Sequence, residues 1–103
     1  MIEYIRDAVP QEELLAQLAE EAAELGHAAL KLRRVIDGRN PTPVRMSEAW
    51  ANLQEEVADV MLCLRVLGVE FHDPTIYRIT EEKLDRWVGR LIDAEEARQC
   101  SAE

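Results

Sequence analysis

The sequence predicts an all-α protein, and three observations carry that expectation. Apolar residues recur at alternating spacings of four and three over residues 11 to about 37, and again over about 47 to 67, which is the signature of one buried helical stripe in each run. A glycine with two prolines behind it separates these runs, and a second glycine followed by Asp-Pro separates the latter from a third helical stretch. Hydrophobic residues make up 48% of the chain and charged ones 32%, a balance too apolar and too patterned for a disordered chain. The expected architecture is an antiparallel helical hairpin plus a third helix in a single domain, 1–103. A chain of 103 residues buries little of its own surface, so a four-helix-bundle core completed by oligomerisation, as a homodimer or homotetramer, is expected.

The first nine residues fit a short lead-in helix or a strap. From residue 11, the stripe runs through Leu18, Ala22, Leu25, Ala29, Leu32 and Ile36. The stretch Asp37-Gly38-Arg39-Asn40-Pro41-Thr42-Pro43 then supplies a helix-ending glycine and a reversal. Ser47, with Glu48 behind it, is the expected N-cap of the second long helix. That helix carries Leu53, Val57, Val60, Leu64 and Leu67 on its stripe and stops at Gly68. Asp73-Pro74 forms an N-cap and first-turn pair, opening a third helix that reaches about Ala97. The terminal residues 99–103 are expected to fray.

Composition narrows the function. Twelve Lys and Arg against twenty-one Asp and Glu give a net charge of −9, which repels nucleic-acid backbones and anionic membranes. A phosphate ligand therefore needs a local device, such as a metal ion or a few aimed cations. Cys63 and Cys100 lack the spacing of a zinc site and read as reduced thiols. With no signal-like start and no run of about 18 apolar residues, the expected location is the cytoplasm.

One internal repeat carries the chemistry. Leu18-Ala-Glu-Glu-Ala-Ala-Glu-Leu25 and Leu53-Gln-Glu-Glu-Val-Ala-Asp-Val60 match in character at nearly every position. At about 100° per residue, Glu21 and Glu24 lie roughly 60° and 120° to one side of Leu18, and Glu56 and Asp59 take the same angles relative to Leu53. In an antiparallel hairpin with facing stripes, a pseudo-twofold axis keeps each flank on its own side, so both acid pairs project from one face. The first pair lies further from the turn than the second, so the two meet only if the first helix ends early or the connection is lopsided. Glu20 and Glu55 point away and face water. Four converging carboxylates repel one another unless a cation sits among them, and an all-oxygen set with i, i+3 spacing suits Mg²⁺, with Mn²⁺ as a substitute.

The runs Glu20-Glu21-Ala-Ala-Glu24-Leu25 and Glu55-Glu56-Val-Ala-Asp59-Val60 resemble the ExxE…ExxD signature of the MazG-like nucleoside triphosphate pyrophosphohydrolases, within the all-alpha NTP pyrophosphatase superfamily. The resemblance covers the two long helices well and the third loosely. It implies that Glu21, Glu24, Glu56 and Asp59 bind Mg²⁺ and serve catalysis, that an NTP or dNTP is split to the monophosphate and pyrophosphate, and that the bundle is completed by dimerisation. The gap between the motifs is longer than usual for the family, and the basic pattern of its third helix reduces here to Lys83, Arg86 and Arg90.

Those three cations follow i, i+3, i+7 spacing and form a stripe suited to clamping phosphates. Lys31 shares the flank of Glu24, and Gln17 and Asn52 occupy equivalent angles one turn ahead of each acid pair, so all three are second-rank substrate contacts. Each of these also has an ordinary reading as a solvated surface residue. His27 forms Glu24-x-x-His27, but the second motif has Leu62 at the equivalent place, which argues against a di-iron bundle. Trp50 and Trp87 read as core or interface residues. The rival functions are a phosphoribosyl-ATP pyrophosphatase-like enzyme and a non-catalytic helical interaction or regulatory dimer.

Overall fold

The computed structural model describes residues 1–39 and 44–102, and it is all-helical. Four helices follow one another: α1 (Ile2–Ala8), α2 (Gln11–Ile36), α3 (Met46–Leu67) and α4 (Pro74–Ala102). Met1–Val69 form one compact unit and Glu70–Glu103 a second.

In the first unit, α2 and α3 pack along their length, and α1 lies on α3. Both long helices end in the same way. Gly38 and Gly68 adopt left-handed φ angles of 75° and 86°, which only glycine takes without a Cβ penalty. This lets the Arg39 and Val69 amides reach back to the Arg34 and Leu64 carbonyls at 2.8 and 2.9 Å. The remainder of the expected reversal, Asn40–Pro43, lies outside the described residues.

The seam between α2 and α3 runs in a different phase from the expected stripe. On α2 it is formed by Leu14, Leu18, Glu21, Leu25, Ala28, Leu32 and Val35, all buried or half-buried, whereas Ala22, Ala29 and Ile36 are exposed. On α3 it passes through Ala49, Leu53, Glu56, Val60, Cys63 and Leu67, and Val57 is exposed. The two phases share Leu18, Leu25 and Leu32 on one helix and Leu53, Val60 and Leu67 on the other. The small residues decide between them. Ala28 and Ala49, only 3% and 2% exposed, stand at the same level of the hairpin and let the backbones approach, while the alternative phase would wedge Trp50 into the contact.

The N-terminal segment is a helix of seven residues, too short to persist unaided. Ile2, Ile5 and Val9 turn inward. Arg6 fixes the end: its Nε donates to the Val66 carbonyl at 2.8 Å and its Nη2 to the Arg65 carbonyl at 3.1 Å. These carbonyls belong to the last turn of α3, at the negative end of the helix dipole, where a guanidinium is favoured; the Arg65 carbonyl also accepts the Gly68 amide at 3.0 Å.

Two expected boundaries move. Arg45, not Ser47, is the N-cap residue of α3, and it makes no side-chain capping bond; the helix starts at Met46 because the chain leaves its extended backbone there. At the other end α4 continues to Ala102 in place of fraying from residue 99. Its last turns hold helix formers with no Gly or Pro to stop them, and the Ser101 hydroxyl donates to the Ala97 carbonyl at 3.0 Å. The start of α4 is as expected, with Asp73 Oδ1 accepting from the Thr75 and Ile76 amides at 2.8 and 3.2 Å. No residue of α4 is buried. Among the described residues no helix is long and apolar enough to cross a membrane.

Candidate functional site

Glu21 and Glu56 stand in the α2–α3 seam itself, at a level where a leucine or valine would continue the packing. Each is half-buried, and each is presented by its own helix to the other. Asp59, one turn along α3, is exposed and closes the group: carboxylate oxygens of Glu21, Glu56 and Asp59 all lie within 4.8 Å of one another. The helix bounds are unequal in the sense that this meeting needs, and α2 does not end early. α2 runs about five residues further past Glu21 than α3 runs ahead of Glu56, an offset of about 7.5 Å at the helical rise.

Three of the four expected ligands are thus brought together. Glu24 is exposed on the same flank and outside the tight group, yet near enough for its charge to act on Glu56. The Glu56 carboxyl is held above its ordinary pKa, first by loss of water around it and then by repulsion from Asp59, Glu24, Glu21 and Glu55. A carboxylate cluster of this kind favours either a proton or a cation. The donor set is entirely oxygen and carries several negative charges, which fits a hard divalent ion such as Mg²⁺ or Mn²⁺.

The other expected contacts divide. Gln17 is tied to the cluster: its Nε2 donates to Glu21 Oε1 at 2.8 Å, across one turn of α2. Its amide thereby orients an acid, where a direct substrate contact was expected. Asn52 is half-buried one turn ahead of Glu56, and Lys31 is half-buried further along α2. Glu20 and Glu55 are exposed, as their angles require. His27 is exposed too. In the second unit, Lys83, Arg86 and Arg90 line one shallow hollow on α4 together with Trp87, all four exposed.

Cys63 is the neighbour that sequence reasoning missed. It sits half-buried in the seam, and its thiol is pushed up in pKa by burial and then by the charges of Glu21 and Asp59. The signal was present, since Cys63 follows Glu56 by one heptad, but it emerges only once Glu56 is placed in the seam. No protein-family profile matches the chain, and neither a curated protein nor a solved structure is significantly similar to it.

Proposed function

We propose that the chain is a Mg²⁺-dependent nucleoside triphosphate pyrophosphohydrolase that releases pyrophosphate from NTPs or dNTPs and leaves the monophosphate. The observation that carries this reading is the meeting of Glu21, Glu56 and Asp59 from two helices inside 4.8 Å, at a seam level where apolar packing is given up. Charges in such a place cost stability, and a bound cation offsets that cost. The two similar motifs that supply these acids favour pyrophosphohydrolase chemistry over simple cation storage.

Within this reading Glu21, Glu56 and Asp59 hold the ion, with Glu24 as a fourth ligand, and Gln17 keeps Glu21 turned toward it. When bound, Mg²⁺ supplies neutralisation of the triphosphate and acidification of a water. One of these carboxylates takes the proton of the attacking water. Lys31 and Asn52, on the same unit as the acids, are proposed substrate contacts, and Lys83, Arg86 and Arg90 form a cationic stripe on α4 with the chemistry to bind phosphate. Nucleotide-pool housekeeping is the corresponding role.

The test is a panel of common, deoxy and oxidised nucleoside triphosphates with product identification. Pyrophosphate and the monophosphate should appear in equal amounts, only with Mg²⁺ or Mn²⁺ present. Absence of pyrophosphate from every member of the panel would return the protein to the class of helical interaction modules.

A further inference from the structure

Charge is spread unevenly along the hairpin. Residues 31–45 hold Lys31, Arg33, Arg34, Arg39 and Arg45 against one acid, Asp37, although the whole chain carries −9. These cations belong to the last turns of α2, the residues just past it and the N-cap of α3, at the end of the hairpin where the chain reverses. Arg39 lies 4.0 Å from Asp37, and among the described residues the other four cations have no acid within 4.0 Å. Helix dipoles account for part of the cluster, since Arg33 and Arg34 sit at the negative end of α2. Arg45 is placed the opposite way: it occupies the N-cap of α3, at the positive end, and makes no capping bond there. Lys31 stands across from it. With Glu21 and Glu56 at one level, Lys31 comes level with Met46, ten residues beyond Glu21 and about 15 Å along the axis. Lys31 is half-buried and follows Glu24 by seven residues, and Arg45 precedes Asn52 and Asp59 by seven and fourteen, so both keep to the flank of the acids. Arg34, one turn past Lys31, sets a third charge beside it. Three like charges in this arrangement repel one another, and an anion among them removes the repulsion.

We propose that Lys31, Arg34 and Arg45 bind a short chain of phosphates, at a site apart from the carboxylates and without a metal ion. The guanidinium fork matches phosphate oxygens in pairs, and the ammonium adds a point charge. Three cations call for an anion of more than one charge, which two or three linked phosphates supply. A nucleoside di- or triphosphate and inorganic polyphosphate share this chemistry. A nucleic acid fits less well, because its length brings further phosphates alongside the acids of a chain with a net charge of −9. Lys31 is the one residue shared with the proposed substrate contacts. The site holds whether or not the chain hydrolyses nucleotides, because neither the acids nor a divalent ion takes part in it.

Isothermal titration of the full chain with inorganic tripolyphosphate, in EDTA and at low ionic strength, should show one anion bound per chain. Lys31→Gln with Arg34→Gln should weaken it about tenfold or more, whereas Arg33→Gln with Arg39→Gln, an equal loss of charge at the same end, should weaken it about twofold at most. Glu56→Ala should not weaken it, which separates this site from the carboxylate level. A nucleoside triphosphate titrated in the same way tests the other source: both probes should lose affinity in the Lys31 and Arg34 variant, and the one held more tightly by the parent chain names the source. A second measurement needs no variant to fold. In amide NMR spectra of the parent chain, tripolyphosphate should move the signals of residues 31–34 and 45–48 and leave those around Glu21, Glu56 and Trp87 in place. No heat in EDTA, signals that move only around Trp87, or equal losses in the two double variants would overturn the proposal. So would tighter binding of an oligonucleotide or a glutamate peptide of the same charge, which would assign this end of the hairpin to a nucleic acid or an acidic protein.

Discussion

Two levels of one seam behave as opposites. At the level of Ala28 and Ala49, and at Leu32 and Leu14 on either side of the acids, the contact between α2 and α3 is apolar and nearly closed to water. At the level of Glu21 and Glu56 it is charged, half-open and mutually repulsive. The first kind of level makes the hairpin, and the second spends part of that stability to hold carboxylates at fixed positions. Sequence positions in a repeat are thus not interchangeable: a single seam step filled by acids separates a scaffold from a site.

The contrast breaks most clearly in activity. Glu56→Ala removes the central carboxylate and should lower pyrophosphate release on the order of 10³-fold, about 4 kcal/mol of barrier, with the helical spectrum unchanged. Leu32→Ala acts on the other kind of level and should cost about 2–4 kcal/mol in urea unfolding, because a buried leucine leaves a hole between closely packed helices. Retained activity in the former, or unaltered stability in the latter, would erase the distinction.

Acidity sharpens it further. The folded chain holds the Glu56 proton more tightly than the unfolded chain does, so folding takes up a proton between the ordinary glutamate pKa and the raised one. The contribution of Glu56 to stability is therefore greatest below the ordinary value and is lost as pH rises through the raised one. Without divalent ions, Glu56→Leu should raise the thermal midpoint above the raised pKa and leave it little changed below, and saturating Mg²⁺ should stabilise the parent chain but not this variant. Differential scanning fluorimetry across pH reads both. The smallest effect belongs to Gln17→Ala, which frees Glu21 Oε1 and should weaken Mg²⁺ binding about 10-fold by isothermal titration, the lower end of the about 10- to 100-fold typical of groups that orient ligands.

Much of this was legible beforehand. The helices, the reversal, Asp73 as a cap and the shared flank of the two acid motifs follow from spacing and turn chemistry, which act over a few residues. The phase of the seam does not, because Leu18, Leu25 and Leu32 serve both candidate stripes and the choice falls to the packing of one helix on the other, in which Ala28 and Ala49 are almost fully buried. The same shift put Glu21 and Glu56 into the seam when sequence angles had placed them beside it. Likewise α1 was undecidable: seven residues carry too little local preference, and what holds them is a guanidinium meeting carbonyls 60 residues away.

That clasp by Arg6 has a consequence for the order in which the protein loosens. Closing a loop of this length is entropically slow, whereas the two long helices are joined by a brief connection. The N-terminal helix should then dock late and lift early, its amides exchanging with solvent well before those near Leu32 while the hairpin remains shut. The chain in effect carries a detachable latch, whose release frees the Val66 carbonyl of the guanidinium, leaves the Arg65 carbonyl to the Gly68 amide, and keeps the carboxylate level as it was.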